Sequence, residues 1–218
     1  MNDARKSILD RLRLAQCSDS AFVKCDDQND PVDSVLRPDE RIDCFIDRMR
    51  AVRTEVHDAS HDSWLDILHG VCQARSLSNL LVSPHTRRGA MIYAEARRFP
   101  ALKDYSQPVE VWKPELFSAI DASVTGACGG IAETGTLILW PDAHEPRAMS
   151  LVPPIHIVLL EKSRIYNSLT EAMQIQNWTL TGMPSNVILV SGPSKSADIE
   201  QTMTYGVHGP KELIVILV

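Results

Sequence analysis

Continuous apolar runs mark the second half of this 218-residue chain. They occupy residues 137–140, 155–160, 187–190 and 213–218. Strands that are covered on both faces of a sheet have this pattern, whereas half-exposed strands alternate apolar and polar positions. Predicted helices at 163–176 and 196–205 separate the last three runs, which indicates right-handed βαβ units. The pattern therefore predicts a largely parallel central sheet.

The first half of the chain interleaves helical and extended patterns. Apolar positions recur every three or four residues after Pro38 and again in 64–72, and residues 86–98 are also predicted to be helical. Short strands are predicted at 54–57, 80–83 and 109–112, and a short helix is predicted to begin at Pro114. The two extended pieces in 122–140 surround a glycine-rich turn, which favours a local antiparallel addition.

The amino-terminal segment differs from the remainder of the chain. Residues 3–16 have the spacing of an amphipathic helix, and residues 18–37 are rich in Asp, Ser, Asn and Pro, which is typical of an exposed connection. We therefore predict an arm at 1–37 followed by a single α/β domain at 38–218.

Charge and composition exclude some classes of function. The formal net charge is −6, so the chain is expected to repel nucleic acid, whose binding needs clustered Lys and Arg. The start lacks the apolar core of a signal peptide, and no segment approaches the roughly 20 apolar residues that span a bilayer. We expect a cytoplasmic protein without a membrane span.

The five cysteines show no metal-binding pattern. They lie at 17, 25, 44, 72 and 128, without a Cys-x-x-Cys pair. We expect reduced cysteines and neither a metal nor a cofactor bound by this chain. Cys128 lies in a glycine-rich segment, and a chemically reactive thiol is the alternative there.

Two motifs combine glycine with hydroxyl and acidic residues at predicted strand ends. The first is residues 131–136, of sequence IAETGT. Glu133 is a candidate catalytic base or nucleophile, and its alternative role is a structural acid that accepts hydrogen bonds within the turn. Thr134, Gly135 and Thr136 are candidate ligand-binding residues, because hydroxyl groups and exposed amides can face an anion or a carbonyl oxygen.

The second motif is residues 191–200, of sequence SGPSKSADIE. The predicted helix at 196–205 would begin here, and helix starts bind anions through unpaired N–H groups. The candidate ligand-binding residues are Gly192, Ser194, Lys195, Ser196 and Asp198. The alternative is a well-capped helix, since an acid in the first turn is already stabilised by the helix dipole.

Two further residues have candidate roles. His208, in the segment GVHGP at 206–210, is a candidate for proton transfer, and an ordinary turn before the last strand is the alternative. Arg147 can pair with a carboxylate substrate or, alternatively, form a surface ion pair. The spacings of the phosphate-binding GxxxxGK[ST] and GxGxxG motifs are absent.

These motifs, in this order, resemble those of the lactate utilization protein C family, also called the LUD domain family. The resemblance covers roughly residues 40–218 and rests on 131–136, 147–154, 191–200 and 206–210. Lys195 and Ser196 depart from the Arg-Thr expected there. This departure keeps the charge and the hydroxyl but loses the planar fork of a guanidinium.

The resemblance implies a three-layer α/β/α fold similar to the sugar-isomerase and CoA-transferase group. It also implies a cluster-free component of a system that oxidises L-lactate to pyruvate, with iron–sulfur clusters carried by partner proteins. Two alternatives remain open. One is a free-standing isomerase or acyl/CoA-transferase-like enzyme that uses Glu133 and holds a small anionic ligand, and the other is a regulatory or assembly module without catalysis.

Overall fold

A computed structural model describes residues 36–105, 109–181, 184–197 and 203–218. The predicted amino-terminal helix at 3–16 and almost all of the predicted connection lie outside these ranges, as does Asp198. Leu36–Val218 forms one compact unit.

Seven α-helices lie within the described ranges. They are α1 Pro38–Ala51, α2 Trp64–Ala74, α3 Arg87–Ala94, α4 Val109–Ser118, α5 Ala148–Leu151, α6 Leu169–Ile175 and α7 Trp178–Thr181. Helix α1 has proline at its first position and acidic residues in its first turn, and it buries Phe45 and Met49. The helices predicted at 38, 64 and 86 are therefore confirmed, the last as α3 followed by a 3₁₀ turn at Ala96–Arg98.

Twelve strands were found in the same ranges. They are β1 Glu55–Asp58, β2 Asn79–Leu81, β3 Ala101–Lys103, β4 Ala122–Gly126, β5 Gly129–Ile131, β6 Thr136–Leu139, β7 Ile155–Leu160, β8 Ile165–Tyr166, β9 Ile188–Val190, β10 Lys195–Ala197, β11 Met203–Tyr205 and β12 Glu212–Leu217.

The central sheet has six strands in the order β1-β12-β7-β4-β2-β3, and every neighbouring pair is parallel. Alternate side chains of β7 reach opposite faces. Ile157 and Leu159 pack in one core with residues of α2 and α3. Val158 and Leu160 pack in a second core with residues of α1 and of a smaller sheet. The predicted α/β fold with a largely parallel central sheet is confirmed.

The smaller sheet has the order β8-β5-β6-β9. Its antiparallel β5–β6 pair is the addition predicted from the glycine-rich turn, but β4 belongs to the central sheet. The central position predicted for 187–190 is wrong, because β9 pairs antiparallel with β6. Leu189 in β9 remains 48% exposed, so the apolar run did not reflect burial on both faces.

Two further predictions of local structure are wrong. The strand predicted at 109–112 is the start of α4, where Trp112 and Leu116, one helical turn apart, pack with Leu81 and Met149. The helix predicted at 196–205 is replaced by β10 and β11, which pair antiparallel with Ser196 opposite Thr204. In both segments tertiary pairing and packing outweigh local propensity.

Candidate functional site

A cleft of about 440 Å³ lies at one edge of the central sheet, and we call it the carboxyl-edge cleft. It is surrounded by the carboxyl ends of β4 and β7, the start of α3 and the loop after β6. Its polar lining includes three arginines and two glutamates, and Trp64, Val82, Met91 and Leu159 contribute to its apolar walls. Loops at this edge of a parallel sheet are where α/β proteins gather ligands. The charged groups that line the cleft are Arg87, Arg88, Glu145, Glu161 and Arg164.

Helix α3 presents two of these arginines. Thr86 caps the helix, and its Oγ1 accepts a hydrogen bond from the Gly89 N–H at 3.1 Å. A Cβ atom at position 89 would lie 1.8 Å from the Ser83 carbonyl oxygen, so this close approach of helix to loop requires glycine. The cap and the close packing hold the first turn of α3, with Arg87 and Arg88, against the cleft.

Arg88 is held at the carboxyl-edge cleft by two hydrogen bonds to neighbouring residues. Its Nη1 donates to the Leu159 carbonyl oxygen at 2.9 Å, and its Nη2 donates to Glu161 Oε1 at 3.1 Å. Burial lowers the pKa of Arg88 from its ordinary value, but a guanidinium stays charged in proteins. The other oxygen of Glu161 accepts from Arg164 Nε at 3.1 Å. Arg88 and Arg164 therefore share the Glu161 carboxylate, and Arg87 lines the same cleft.

Glu145 faces the same cleft from the loop after β6. Its Oε2 accepts a hydrogen bond from the Gly126 N–H at 2.9 Å. Burial is the main cause that raises the pKa of Glu145 to about 7, and the nearby Asp142 charge contributes in the same direction. Asp142 also orders the loop, because its Oδ1 accepts from the His144 and Glu145 N–H groups at 2.7 and 2.8 Å. A carboxyl group poised near neutral pH can give or take a proton.

Glu145 should make stability depend on pH. An unfolded glutamate titrates near 4.5, whereas burial raises the pKa of folded Glu145 to about 7. The proton that folded Glu145 retains therefore stabilises the protein fully below pH 4.5, and this stabilisation is lost as the pH rises through about 7. As the pH rises from about 5 to about 8, we expect the free energy of unfolding of the native protein to fall by about 1–2 kcal/mol relative to that of Glu145→Gln. This figure is smaller than the full pKa shift implies, because the cleft is open to solvent. Urea unfolding across pH measures this difference.

The control for this prediction is Glu110→Gln, which removes an exposed carboxyl group from the first turn of α4. Parallel pH profiles of the native protein and Glu145→Gln would contradict the raised pKa of Glu145.

The first sequence motif packs against α1. Gly135 has a φ of +59°, and a Cβ atom there would lie 2.5 Å from Arg48 Cβ. Thr136 Oγ1 is hydrogen-bonded to the hydroxyls of Thr134 and Ser191, at 2.7 and 2.6 Å. The two motifs therefore meet through a chain of three hydroxyl groups, where β6 pairs with β9.

Glu133 lies at the exposed side of this turn. Its backbone N–H donates to the Asn167 carbonyl oxygen at 3.2 Å, and its side chain is exposed. It lines neither the carboxyl-edge cleft nor the pocket described next. The geometry therefore favours Glu145 over Glu133 as the carboxyl group beside a ligand.

Gly192, Ser194 and His208 meet in a pocket of about 250 Å³, which we call the His156 pocket. Gly192 has a φ of +114° and approaches Val52, while Ser194 and Gly209 lie side by side. The other candidates lie elsewhere. Lys195 is exposed, Ser196 is in the β10–β11 hairpin, and Arg147 is exposed at the start of α5. With the predicted helix absent from 195–197, the proposed anion site at its start is not formed by those residues.

Comparison with known proteins identifies the family. The LUD domain matches residues 42–218. The chain belongs to the LUD domain family. A relative in Neisseria meningitidis serogroup B, an uncharacterized protein, is 38% identical over 186 residues, which cover 82% of this chain and 77% of the relative.

Two relatives of this LUD domain are named for lactate utilization. Lactate utilization protein C 1 of Bacillus mycoides is 41% identical over 103 residues, 46% of this chain and 44% of the relative. Lactate utilization protein C of Oceanobacillus iheyensis is 29% identical over 190 residues, 73% of this chain and 82% of the relative.

One solved structure resembles this LUD domain in fold. The crystal structure of a DUF162 family protein from Deinococcus radiodurans, at 1.70 Å resolution, aligns with a TM-score of 0.58 and 22% identity. The alignment covers 84% of this chain and 99% of that chain. At this level of identity the likeness concerns the fold alone.

Cys128 lies in surroundings that disfavour its reactive form. Burial raises the pKa of Cys128 to about 11, and its thiol donates to the Ile138 carbonyl oxygen at 3.2 Å, so the nucleophilic thiolate is disfavoured. Among the described residues, no three His, Cys, Asp or Glu side chains are grouped as metal ligands would be. A search of the same residues found no helix with the length and apolar character of a membrane span.

Glu145 and Arg88 were not predicted as site residues. The available signal for Glu145 was Asp142 three residues before it in a proline-bounded loop, a pattern typical of an Asx turn that orders a short segment. No sequence pattern marked Arg88, because the hydrogen bond that places it joins α3 to the end of β7, 71 residues along the chain.

Proposed function

We propose that this chain is a component of a lactate-utilization system and binds an organic anion in the carboxyl-edge cleft. The observation that carries the proposal is the convergence of Arg87, Arg88 and Arg164 beside Glu145. Guanidinium groups recognise carboxylates by charge-assisted hydrogen bonds, and lactate and pyruvate are carboxylates. The names of the two relatives from Bacillus mycoides and Oceanobacillus iheyensis support the same metabolic role.

The volume of the cleft is larger than a three-carbon acid needs. About 440 Å³ lies within the range of pockets that hold drug-sized ligands, and a three-carbon acid fills only part of it. In this proposal the acid group lies among the arginines. The apolar walls formed by Trp64, Met91 and Leu159 contact a larger body or a segment of a partner protein.

The proposal includes a division of labour with partner proteins. Iron–sulfur clusters that accept electrons from L-lactate reside in the partners, and this chain contributes anion binding and assembly. Within the described residues, Cys44, Cys72 and Cys128 are free cysteines.

Deletion of this gene alone tests the metabolic role. We expect growth on L-lactate and lactate oxidation to be lost, and to be restored by the wild-type gene, while growth on glucose is unchanged. Undiminished growth on L-lactate would reject the proposal.

Co-purification from lactate-grown cells tests the division of labour. Iron and acid-labile sulfide should follow the partner proteins and be absent from this chain purified alone. Stoichiometric iron in the isolated chain would place a cluster here instead.

A free-standing enzyme is the second candidate, and the pKa of Glu145 near 7 favours it. A carboxyl group with that pKa is suited to proton transfer beside a carbonyl or phosphate substrate. In this alternative Glu145 takes the role that the sequence suggested for Glu133. Turnover by the isolated chain that is lost in Glu145→Gln would favour it, and turnover of the same substrate by Glu145→Gln would remove it.

A further inference from the structure

The His156 pocket lies at the edge of the central sheet opposite the carboxyl-edge cleft. His156 and Leu213 are the second residues of the parallel strands β7 and β12, whereas the carboxyl-edge cleft lies beyond the other ends of the strands. The walls of the pocket are largely apolar, with contributions from Ile188, Leu189 and Pro193. No Lys, Arg, Asp or Glu is among the described residues that line it.

His156 gives this pocket an unused hydrogen-bonding group. The residue is 1% exposed, and its Nε2 lies 2.8 Å from Thr125 Oγ1. Its Nδ1 is buried and has no hydrogen-bond partner within the described part of the chain. Buried polar atoms are nearly always paired, so an orphaned ring nitrogen on a residue that lines a pocket indicates a partner supplied from outside the chain.

The charge of this partner follows from its surroundings. Burial lowers the pKa of His156 to about 3, so the imidazole is neutral at physiological pH. A neutral His156 imidazole and a lining without Lys, Arg, Asp or Glu offer little compensation for an ion, and burying an ion without compensation is costly.

We propose that the His156 pocket binds a compact uncharged ligand with a branched apolar body, whose amide or similar polar head hydrogen-bonds to His156 Nδ1. Thr125 can donate to His156 Nε2 or accept from it. Because a neutral imidazole has one donor and one acceptor nitrogen, Nδ1 donates in the first case and accepts in the second. An amide head can satisfy both cases. Ser194 and the exposed His208 lie at the same pocket and supply further polar contacts.

This site is separate from the proposed function. The carboxyl-edge cleft selects an anion through three arginines, whereas the His156 pocket selects against charge. Failure of lactate or pyruvate to bind therefore leaves the His156 pocket untouched, and the reverse also holds.

Isobutyramide and isobutyrate form a matched pair of probes, because they share a branched apolar body and differ in charge. We expect isobutyramide to shift the His156 ring-nitrogen resonances and the methyl resonances of Ile188 and Leu189 saturably in NMR titrations of the full chain. Isobutyrate should bind at least about tenfold more weakly, since its charge is uncompensated. No saturable shift with isobutyramide, or equal affinity for both probes, would overturn the proposal.

Two variants locate the binding. Leu189→Trp fills the pocket from β9 and should eliminate the isobutyramide response, while Leu180→Trp adds the same ring at an 83% exposed position on α7 and should retain it. Retained binding in a folded Leu189→Trp protein would contradict the assignment. If that variant does not fold, the titration of the unmodified chain with the two probes still decides.

Discussion

Gly89→Ala is expected to destabilise the protein by about 3 kcal/mol, at the upper end of the cost of overpacking a close contact. The new Cβ would lie 1.8 Å from the Ser83 carbonyl oxygen and 2.9 Å from Thr86 Oγ1. The first of these is a backbone atom of a residue only 3% exposed, so it cannot move aside alone. Relief requires α3 to shift away from its loop, which also breaks the Thr86 cap.

Gly70→Ala is the matched control for this prediction. Gly70 lies inside α2, and a Cβ atom there would meet nothing within 4 Å. Alanine is the better helix former, so this variant should gain up to about 1 kcal/mol. Urea unfolding of the three proteins measures both effects. Equal midpoints for Gly89→Ala and Gly70→Ala would show that α3 does not pack on its loop as described.

The parts of the fold that local sequence determines were predictable. Strands β7 and β12 lie side by side in the interior of the sheet, and their continuous apolar runs report burial on both faces. Helix α1 carries its own start signal in Pro38 and the two acids after it. Where a strand could pair in either of two sheets, the sequence does not show which pairing forms. The run at 187–190 is as apolar as a central strand, yet it pairs with β6 in the smaller sheet.

The candidate site was predicted less well, for a physical reason. Gly135 and Gly192 were interpreted as ligand-facing glycines, but both have positive φ angles and fit closely against α1 and Val52. A glycine needed for packing and one needed for a ligand look the same in sequence. Burial raises the pKa of Glu145, and the Gly126 N–H holds its carboxyl group in place; both depend on how β4 and the loop after β6 meet.

The sequence did identify residues that meet in space. Gly192, Ser194 and His208 come from two separate motifs and line one pocket. The pocket does not lie at a helix start, because β10 and β11 form a hairpin there. The buried His156 joins them through strand register, which single residues in a sequence do not reveal.

The proposed anion site predicts that Arg88→Met weakens binding of pyruvate or L-lactate to the carboxyl-edge cleft by about 10- to 100-fold, because a charge-assisted hydrogen bond contributes about 1.5–3 kcal/mol. The contacts of Arg88 with Leu159 and Glu161 use only part of its N–H donors, so a bound carboxylate can take the rest. Methionine keeps an unbranched apolar stem and loses the charge. Isothermal titration calorimetry with each acid measures the change.

Arg98→Met separates loss of this particular guanidinium from loss of one positive charge. Arg98 pairs with Asp66 and Glu95 on the surface and lines neither cleft nor pocket, so its removal should leave pyruvate affinity unchanged. Arg88→Lys adds a second distinction, because an ammonium keeps the charge but cannot reproduce the fork between Leu159 and Glu161. Intermediate affinity in this variant would mean that geometry and charge both contribute. Equal affinities in Arg88→Met and Arg98→Met, both verified as folded by thermal unfolding, would remove the carboxyl-edge cleft as the anion site.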